Sequence, residues 1–450
     1  MNPSPPILEL AGAFKDASGL VTSMSFSPDG LALLVGSEDD VLRLYDMSNV
    51  RELSCLSSTI RLPPVIGLQE CRFVGARSSL PDGTALVAPR NPADAHVYTV
   101  SLERSELISQ YHSGVCSASK LGSSSTSGDT TSAGHVMRSL AHFPLLDAFG
   151  CCTVSGELCL WSPKHPNPIV RIGGRDETKM RLFSISKVSD FAFVTATEDM
   201  VLGFDGRMLG SGDARPLWKV NQSSLFTTQT VPLAATTLAS ATNGGAVPKM
   251  NAVGCLDMSP SSDMKFLATN RWTSELSILD CSNTSNPSSP NATVPIGSPT
   301  GSGGAAGDNA MVTCITKDTV TPLVGEFGRH VERVATQNAL SLALSPAEGS
   351  GTSGVAKTRR VDLCCGGKYL SGEVGGHFIV QGTHRQRLLM FDASQSHYPM
   401  VQSVKAPQHL MSIPTIEVNP NYAMFASACS RLLLWSSATQ MQLSAQIADE

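Results

Sequence analysis

A single cassette, recognisable six times along the chain, constrains this sequence more than any other feature. Residues 20–46, LVTSMSFSPDGLALLVGSEDDVLRLYD, alternate apolar and polar side chains, turn at Ser-Pro-Asp-Gly, run apolar again, turn at Glu38-Asp39-Asp40 and end in a third alternating stretch at Tyr45-Asp46. That pattern is a three-stranded meander. It returns as GCCTVSGELCLWS (150–162), FVTATEDMVLGFD (193–205), FLATNRWTSELSILD (266–280), FIVQGTHRQRLLMFD (378–392) and MFASACSRLLLWS (424–436). From the hydroxyl residue before the second turn to the end of the third strand, Ser37 to Asp46, Thr153 to Ser162, Thr383 to Asp392 and Ser427 to Ser436 each differ by nine positions, Thr197 to Asp205 by eight and Thr269 to Asp280 by eleven. A register held this closely marks a repeat.

A seventh, more diverged unit fits between Ile60 and Val100, with two strands around Pro81-Asp82-Gly83 and a third ending at Tyr98-Thr99-Val100. With units ending near 46, 100, 162, 205, 280, 392 and 436, the spacings are 54, 62, 43, 75, 112 and 44. The two shortest match a propeller-blade repeat of about 40–45 residues. The excess falls in Ser/Thr/Gly/Ala-rich stretches at about 119–135, 221–249, 281–310 and 347–360, which hold too little apolar surface to offset the entropy of ordering. They read as disordered loop insertions.

Small antiparallel sheets repeated in one chain need both faces covered and their edges protected, and a closed ring of blades does both. With 38 Gly, 27 Pro and only 16% charged residues, long helices are disfavoured. The expectation is therefore an all-β chain, residues 1–450 forming a single seven-bladed β-propeller with low-complexity loop insertions. Closure is expected from the apolar Ile7–Phe14 stretch, with MQLSAQI (441–447) as a rival. The aromatic before the last residue of the third strand (Tyr45, Trp161, Phe204, Phe391, Trp435, with Leu279 the exception), and the following Asp46, Asp205 and Asp392, form a structural signature whose rings pack between neighbouring sheets.

The remaining composition excludes function classes. Net charge is −5 with no basic block, so no direct nucleic-acid contact is expected. Twelve cysteines without a C-x-x-C, and ten histidines never at finger spacing, argue for buried free thiols and no metal. No apolar run reaches the roughly 18 residues of a membrane helix, and MNPSPPILEL lacks a basic n-region, so the chain reads as intracellular, away from membranes. Gly301-Ser302-Gly303-Gly304 has no following Gly-Lys-Ser/Thr, the carboxylates of Asp39-Asp40 and Glu198-Asp199 fall in turns, and no G-x-S-x-G elbow occurs. No catalytic residue and no cofactor are expected. One surface stands out: Arg271 and Trp272, with His384 and Arg385, fall between the second and third strands of consecutive units, where an aromatic anchor and cations would suit an acidic or phosphorylated partner segment.

The run FKDASGLVTSMSFSPDGLALLVGSEDDVLRLYD (14–46) and the run IEVNPNYAMFASACSRLLLW (416–435) resemble the WD40 propeller of the Swd-two type, a subunit shared by COMPASS histone-lysine methyltransferases and PNUTS-containing nuclear phosphatase complexes. Generic WD repeats carry Asp two residues after the small hydroxyl residue. Here Cys429 follows Ser427 within Phe425-Ala426-Ser427-Ala428-Cys429-Ser430, which is similar to the terminal blade of that family. Departures are visible too: the Trp-Asp pair is nowhere intact, and the usual Gly-His pairs are reduced to candidates such as His112 and His330. The resemblance implies a non-catalytic scaffold in the nucleus, joined to a methyltransferase or phosphatase-regulatory subunit in chromatin and transcription-termination complexes. Contact with the phosphorylated tail of RNA polymerase II is among its implications. Two other readings stay open. One is an adaptor of an RNA 3′-end processing or ubiquitin-ligase assembly. The other is a phosphoinositide-binding propeller, whose Phe-Arg-Arg-Gly motif is met here only by Thr358-Arg359-Arg360-Val361.

Overall fold

Alternation broken by short polar turns favours strands over helices, and the computed structural model is built of strands, with 3-10 turns at Pro144–Leu146 and Gly206–Ser211 as its helical elements among the described residues. Those residues are 8–48, 56–63, 67–75, 77–90, 96–113, 137–153, 156–173, 182, 184–187, 191–197, 200–211, 216–221, 253–258, 265–270, 276–280, 311–314, 364–371, 377–383, 386–392, 400–410, 413 and 415–437. No helix among them is long and apolar enough to cross a membrane.

The described strands form seven antiparallel sheets of four. The first contains β2 (Val21–Phe26), β3 (Ala32–Ser37), β4 (Val41–Asp46) and β5 (Leu56–Arg61), and the second β6 (Glu70–Phe73), β7 (Thr84–Ala88), β8 (His96–Ser101) and β9 (Glu106–His112). The third contains β10 (Met137–Phe143), β11 (Ala148–Thr153), β12 (Glu157–Trp161) and β13 (Val170–Gly173), and the fourth β14 (Ser184–Lys187), β15 (Ala192–Ala196), β16 (Met200–Asp205) and β17 (Trp218–Asn221). In the fifth are β18 (Val253–Met258), β19 (Lys265–Asn270), β20 (Leu276–Asp280) and β21 (Met311–Cys314), and in the sixth β22 (Cys364–Ser371), β23 (His377–Thr383), β24 (Arg387–Asp392) and β25 (Met400–Lys405). The seventh joins β26 (Thr415–Val418), β27 (Met424–Ala428) and β28 (Leu432–Ser437) to β1 (Leu8–Phe14).

The first strands β2, β6, β10, β14, β18, β22 and β26 each lie beside the next, and β26 lies beside β2, so the sheets form a closed ring. β1 closes it, pairing Leu10 with Trp435 and Phe14 with Leu432 at the open edge of the seventh sheet. The rival strand 441–447 lies outside the described residues, as do 119–135, 281–310, 347–360 and, past Asn221 at the end of β17, the remainder of 221–249.

The apolar core is a set of slabs between blades. Tyr45 packs with Met424 and Leu434 of the seventh blade, Trp161 with Leu86 and Tyr111 of the second, Phe204 with Phe143 of the third, and Trp435 with Val380 and Met390 of the sixth. Each of these third-strand aromatics is thus buried against the preceding blade. In three blades a cross-strand partner stacks on it: Phe149 on Trp161, Phe193 on Phe204 and Phe425 on Trp435, with ring centres 5.6, 5.4 and 6.0 Å apart. Phe391 is fully buried at the same place in the sixth blade.

Polar staples join the inner strands. The Cys71 and Phe73 amides of β6 donate to the Ser23 and Ser25 hydroxyls of β2 (3.0 and 3.1 Å), and the Ile185 amide of β14 donates to the Ser139 hydroxyl of β10 (3.1 Å). The turn between β2 and β3 is locked to the seventh blade, where the Asn419 side-chain amide donates to the Gly30 carbonyl at 2.7 Å. Gly30 has φ +76°, and a Cβ there would sit 2.3 Å from Asn419 Oδ1, so both conformation and approach require glycine.

Candidate interaction surface

The turns joining second and third strands gather the polar residues that the repeat pattern singles out. In the first blade, Ser37 closes β3, Asp39 sits in the turn and Arg43 points back from β4. Arg43 Nη1 donates to Ser37 Oγ at 2.6 Å, Arg43 Nη2 pairs with Asp39 Oδ2 at 2.6 Å, and the Ser37 hydroxyl donates to Asp39 Oδ1. Burial works to raise the Asp39 carboxyl. Hydrogen bonds from Arg43, Ser37 and the Ser18 amide, together with the Arg43 charge, outweigh it and hold the group well below the usual carboxylate range. Arg90, from the corresponding turn of the second blade, reaches Glu38 and Asp40 at 3.9 and 3.6 Å. The acidic turn is therefore neutralised from two sides.

The seventh blade solves the same turn differently. His409, from the loop before β26, directs Nε2 to Ser427 Oγ (2.9 Å) and Nδ1 to Cys429 Sγ (3.2 Å), while Trp435 Nε1 donates to the same Ser427 oxygen at 2.8 Å. A neutral imidazole fits, since one ring nitrogen can accept while the other donates. The histidine–hydroxyl–thiol set has the residue types of a nucleophile and its base, a meeting not expected from the sequence. Its four side chains are at most 3% exposed, so Cys429 and Ser427 are closed off from solvent, and the arrangement serves as an internal brace. Three other buried thiols are held protonated: Cys71 is pushed up to about 12 by burial, and Cys152 and Cys159 are raised by the same cause.

The signature acids act locally. Asp46 accepts from the Ser48 amide (2.9 Å), and Asp205 accepts from the Arg207 amide and guanidinium (2.9 and 2.6 Å), each folding the chain into the turn toward the fourth strand. Asp392 ends β24 at the equivalent place and is half-buried. Of the two candidates for the histidine of the Gly-His pair, His112 meets Trp161 through its carbonyl, which accepts from Nε1 at 2.9 Å. His330 lies outside the described residues.

The proposed anchor residues Arg271, Trp272, His384 and Arg385 also lie outside the described residues. Their flanking strands, β19 and β20 in the fifth blade and β23 and β24 in the sixth, belong to sheets adjacent in the ring. Toward the axis, Arg72 on β6 pairs with Glu70 and with Glu417 on β26, both at 3.1 Å, and Lys368 on β22 reaches Glu417 at 3.5 Å. These charges are mutually compensated. A cleft between the sixth and seventh blades, lined by Leu388, Met390, Val404 and Phe425, has a volume of about 10 Å³, far below ordinary ligand pockets of about 300–1,000 Å³.

Residues 6–46 match the family model described as WD domain, G-beta repeat. The match begins just before β1 and runs through β4, so the sequence repeat is offset from the structural blade by one strand, taking the closing strand of the seventh blade and three strands of the first. Among curated proteins none matches the chain. The geometry and this match together describe an all-β propeller that carries a WD40 repeat from its closing strand through the third strand of its first blade.

Proposed function

We propose that this propeller is a non-catalytic scaffold subunit of a nuclear chromatin and transcription complex, either a COMPASS-type histone-lysine methyltransferase, a PNUTS-type phosphatase complex of transcription termination, or both. The observation that carries the reading is the terminal blade. Its Phe425–Ser430 segment, with Cys429 in the place of the usual aspartate, resembles the Swd-two type and forms a closed brace with His409 and Trp435. A WD40 repeat supports a protein-interaction role. On this reading the partners are a methyltransferase or phosphatase-regulatory subunit and the phosphorylated polymerase tail, docking over the turns of the fifth and sixth blades through Trp272, with Arg271, His384 and Arg385 around it.

Affinity purification of the endogenous protein from nuclear extract, followed by mass spectrometry, tests it. Methyltransferase or phosphatase-regulatory subunits are expected at near-stoichiometric levels. Recovery of cleavage and polyadenylation factors or of cullin-type ligase subunits in their place would establish the adaptor reading instead. Flotation with phosphoinositide vesicles would favour the membrane-lipid reading.

A further inference from the structure

Where the first blade sets Asp39 against Arg43, the seventh has Cys429, and no carboxylate stands in that turn. Arg431, two residues on, is only partly buried and donates from Nη1 to the Gln408 carbonyl at 3.0 Å. Lys15 follows Phe14, whose partner in the ladder between β1 and β28 is Leu432, so Lys15 and Arg431 leave the same end of that ladder on adjacent strands. In the sixth blade, Arg387 and Lys405 are paired positions of β24 and β25, and the chain runs from Lys405 into the loop of Gln408 that Arg431 holds. Four cations therefore share one end of two neighbouring blades. Lys15 and Lys405 are exposed, and among the described residues neither they nor Arg431 have an ion-pair partner. The sequence explains this: from Ala393 to Ala448 the one acid is Glu417, which is tied to Arg72 and Lys368 near the axis. Asp16, next to Lys15, accepts from the Tyr45 hydroxyl at 2.9 Å.

Leu410, in the same loop as Gln408, is 58% exposed, an apolar side chain set among these charges. In a chain whose net charge is −5, this is a local excess of positive charge with an apolar centre. We propose that this end of the sixth and seventh blades docks an acidic polypeptide segment, its glutamate or aspartate side chains meeting Lys15, Lys405 and Arg431 and an apolar residue covering Leu410. The cations are spread over several strands and do not converge on one point, which suits a run of single carboxylates better than one phosphate group. Nothing aromatic among the named residues offers a base a stacking platform, so single-stranded nucleic acid fits less well. The surface adjoins the turn of His384 and Arg385 but uses none of the residues of the Trp272 docking reading, and either can fail alone.

Fluorescence anisotropy of the full chain with a labelled peptide, in which leucine is flanked by runs of glutamate, tests it. Binding to the unaltered protein should weaken as salt rises and vanish when glutamine replaces the glutamates, two readouts independent of how any variant folds. Lys15→Gln and Lys405→Gln, both exposed changes, should each weaken it about twofold to fivefold, and the triple variant with Arg431→Gln about tenfold or more. Arg104→Gln, an exposed change on the second blade, and Trp272→Ala should leave it unaltered. Affinity of the triple variant within about twofold of the parent, equal binding of the glutamine peptide, or tighter binding of a phosphoserine peptide of the same charge or of oligothymidylate would overturn the proposal.

Discussion

Protonating His409 would place a charge among Ser427, Cys429 and Trp435, all buried, and its pKa is pushed down to about 4 by that burial, with the Arg431 charge adding to it. An unfolded chain takes up the same proton near the ordinary histidine value of about 6.5. Stability is therefore complete above that pH and lost progressively as pH falls toward 4, a window worth about 3 kcal/mol. His142, whose Nδ1 accepts from the Gly75 amide at 3.0 Å, is pushed down to about 4 by burial and the Lys187 charge, and acts in the same direction. Urea unfolding at pH 7 and pH 4.5 should show His409→Gln less stable than the parent at the higher pH and with a shallower acid loss; parallel losses would remove the role. Asp39 works in a lower window, its stability disappearing only below the ordinary carboxylate value of about 3.8. At neutral pH Asp39→Asn should cost about 3 kcal/mol, because it leaves the buried Arg43 guanidinium without its counter-charge. The serine, tryptophan and aspartate of these braces are legible from the repeat register. His409 is not, since it lies 18 and 20 residues before its two partners and follows Gln408 rather than the glycine of the usual pair.

At the scale of elements, second and third strands could be read directly because both of their faces are covered, by the neighbouring blades, and their apolar content is high. Fourth strands could not. In β9 Tyr111 alone is buried, so ELISQYH carries no usable alternation, and β5 (LSSTIR) buries only Ile60. Such outer strands are specified by the register of the strand inside them, and their own side chains contribute little. It follows that truncations should rank by strand. Trp161→Ala on β12 should cost about 3–5 kcal/mol, since it empties the slab shared with the second blade and frees the His112 carbonyl, whereas Leu107→Ala on β9 should cost less than about 0.5 kcal/mol. Thermal melts of the pair check the ranking. The docking anchor belongs to the same scale, lying between a second and a third strand. Trp272→Ala should weaken partner recovery by about 2 kcal/mol with the melting temperature nearly unchanged. Loss of binding only together with a collapsed melt would assign Trp272 to packing instead.

For the molecule as a whole, the ring explains why no central core is needed: each blade is stabilised by two neighbours, and closure supplies the neighbour that the last blade would lack. Glu417 adds an electrostatic tie, linking β26 to β6 past β2 and to β22 on the other side. Removing residues 1–14 should therefore destabilise the whole ring, exposing the β28 edge and the Trp435 slab. A single cooperative melt shifted down is expected, and a second, independent transition would show that the seventh blade folds apart from the rest. The ring was legible from the repeat count and from the need to protect edges, because both are properties of every unit at once.

The pairing of β1 with β28 also fixes an order of events during synthesis. Leu8–Phe14 is made more than 400 residues before its partner Leu432–Ser437. At about 5–20 residues per second the first strand waits roughly 20–80 s before it can pair. Throughout that interval the nascent chain holds an unpaired apolar strand and an open arc of blades, so its yield in a cell should depend on chaperones that shield strand edges more than on the stability of the finished ring.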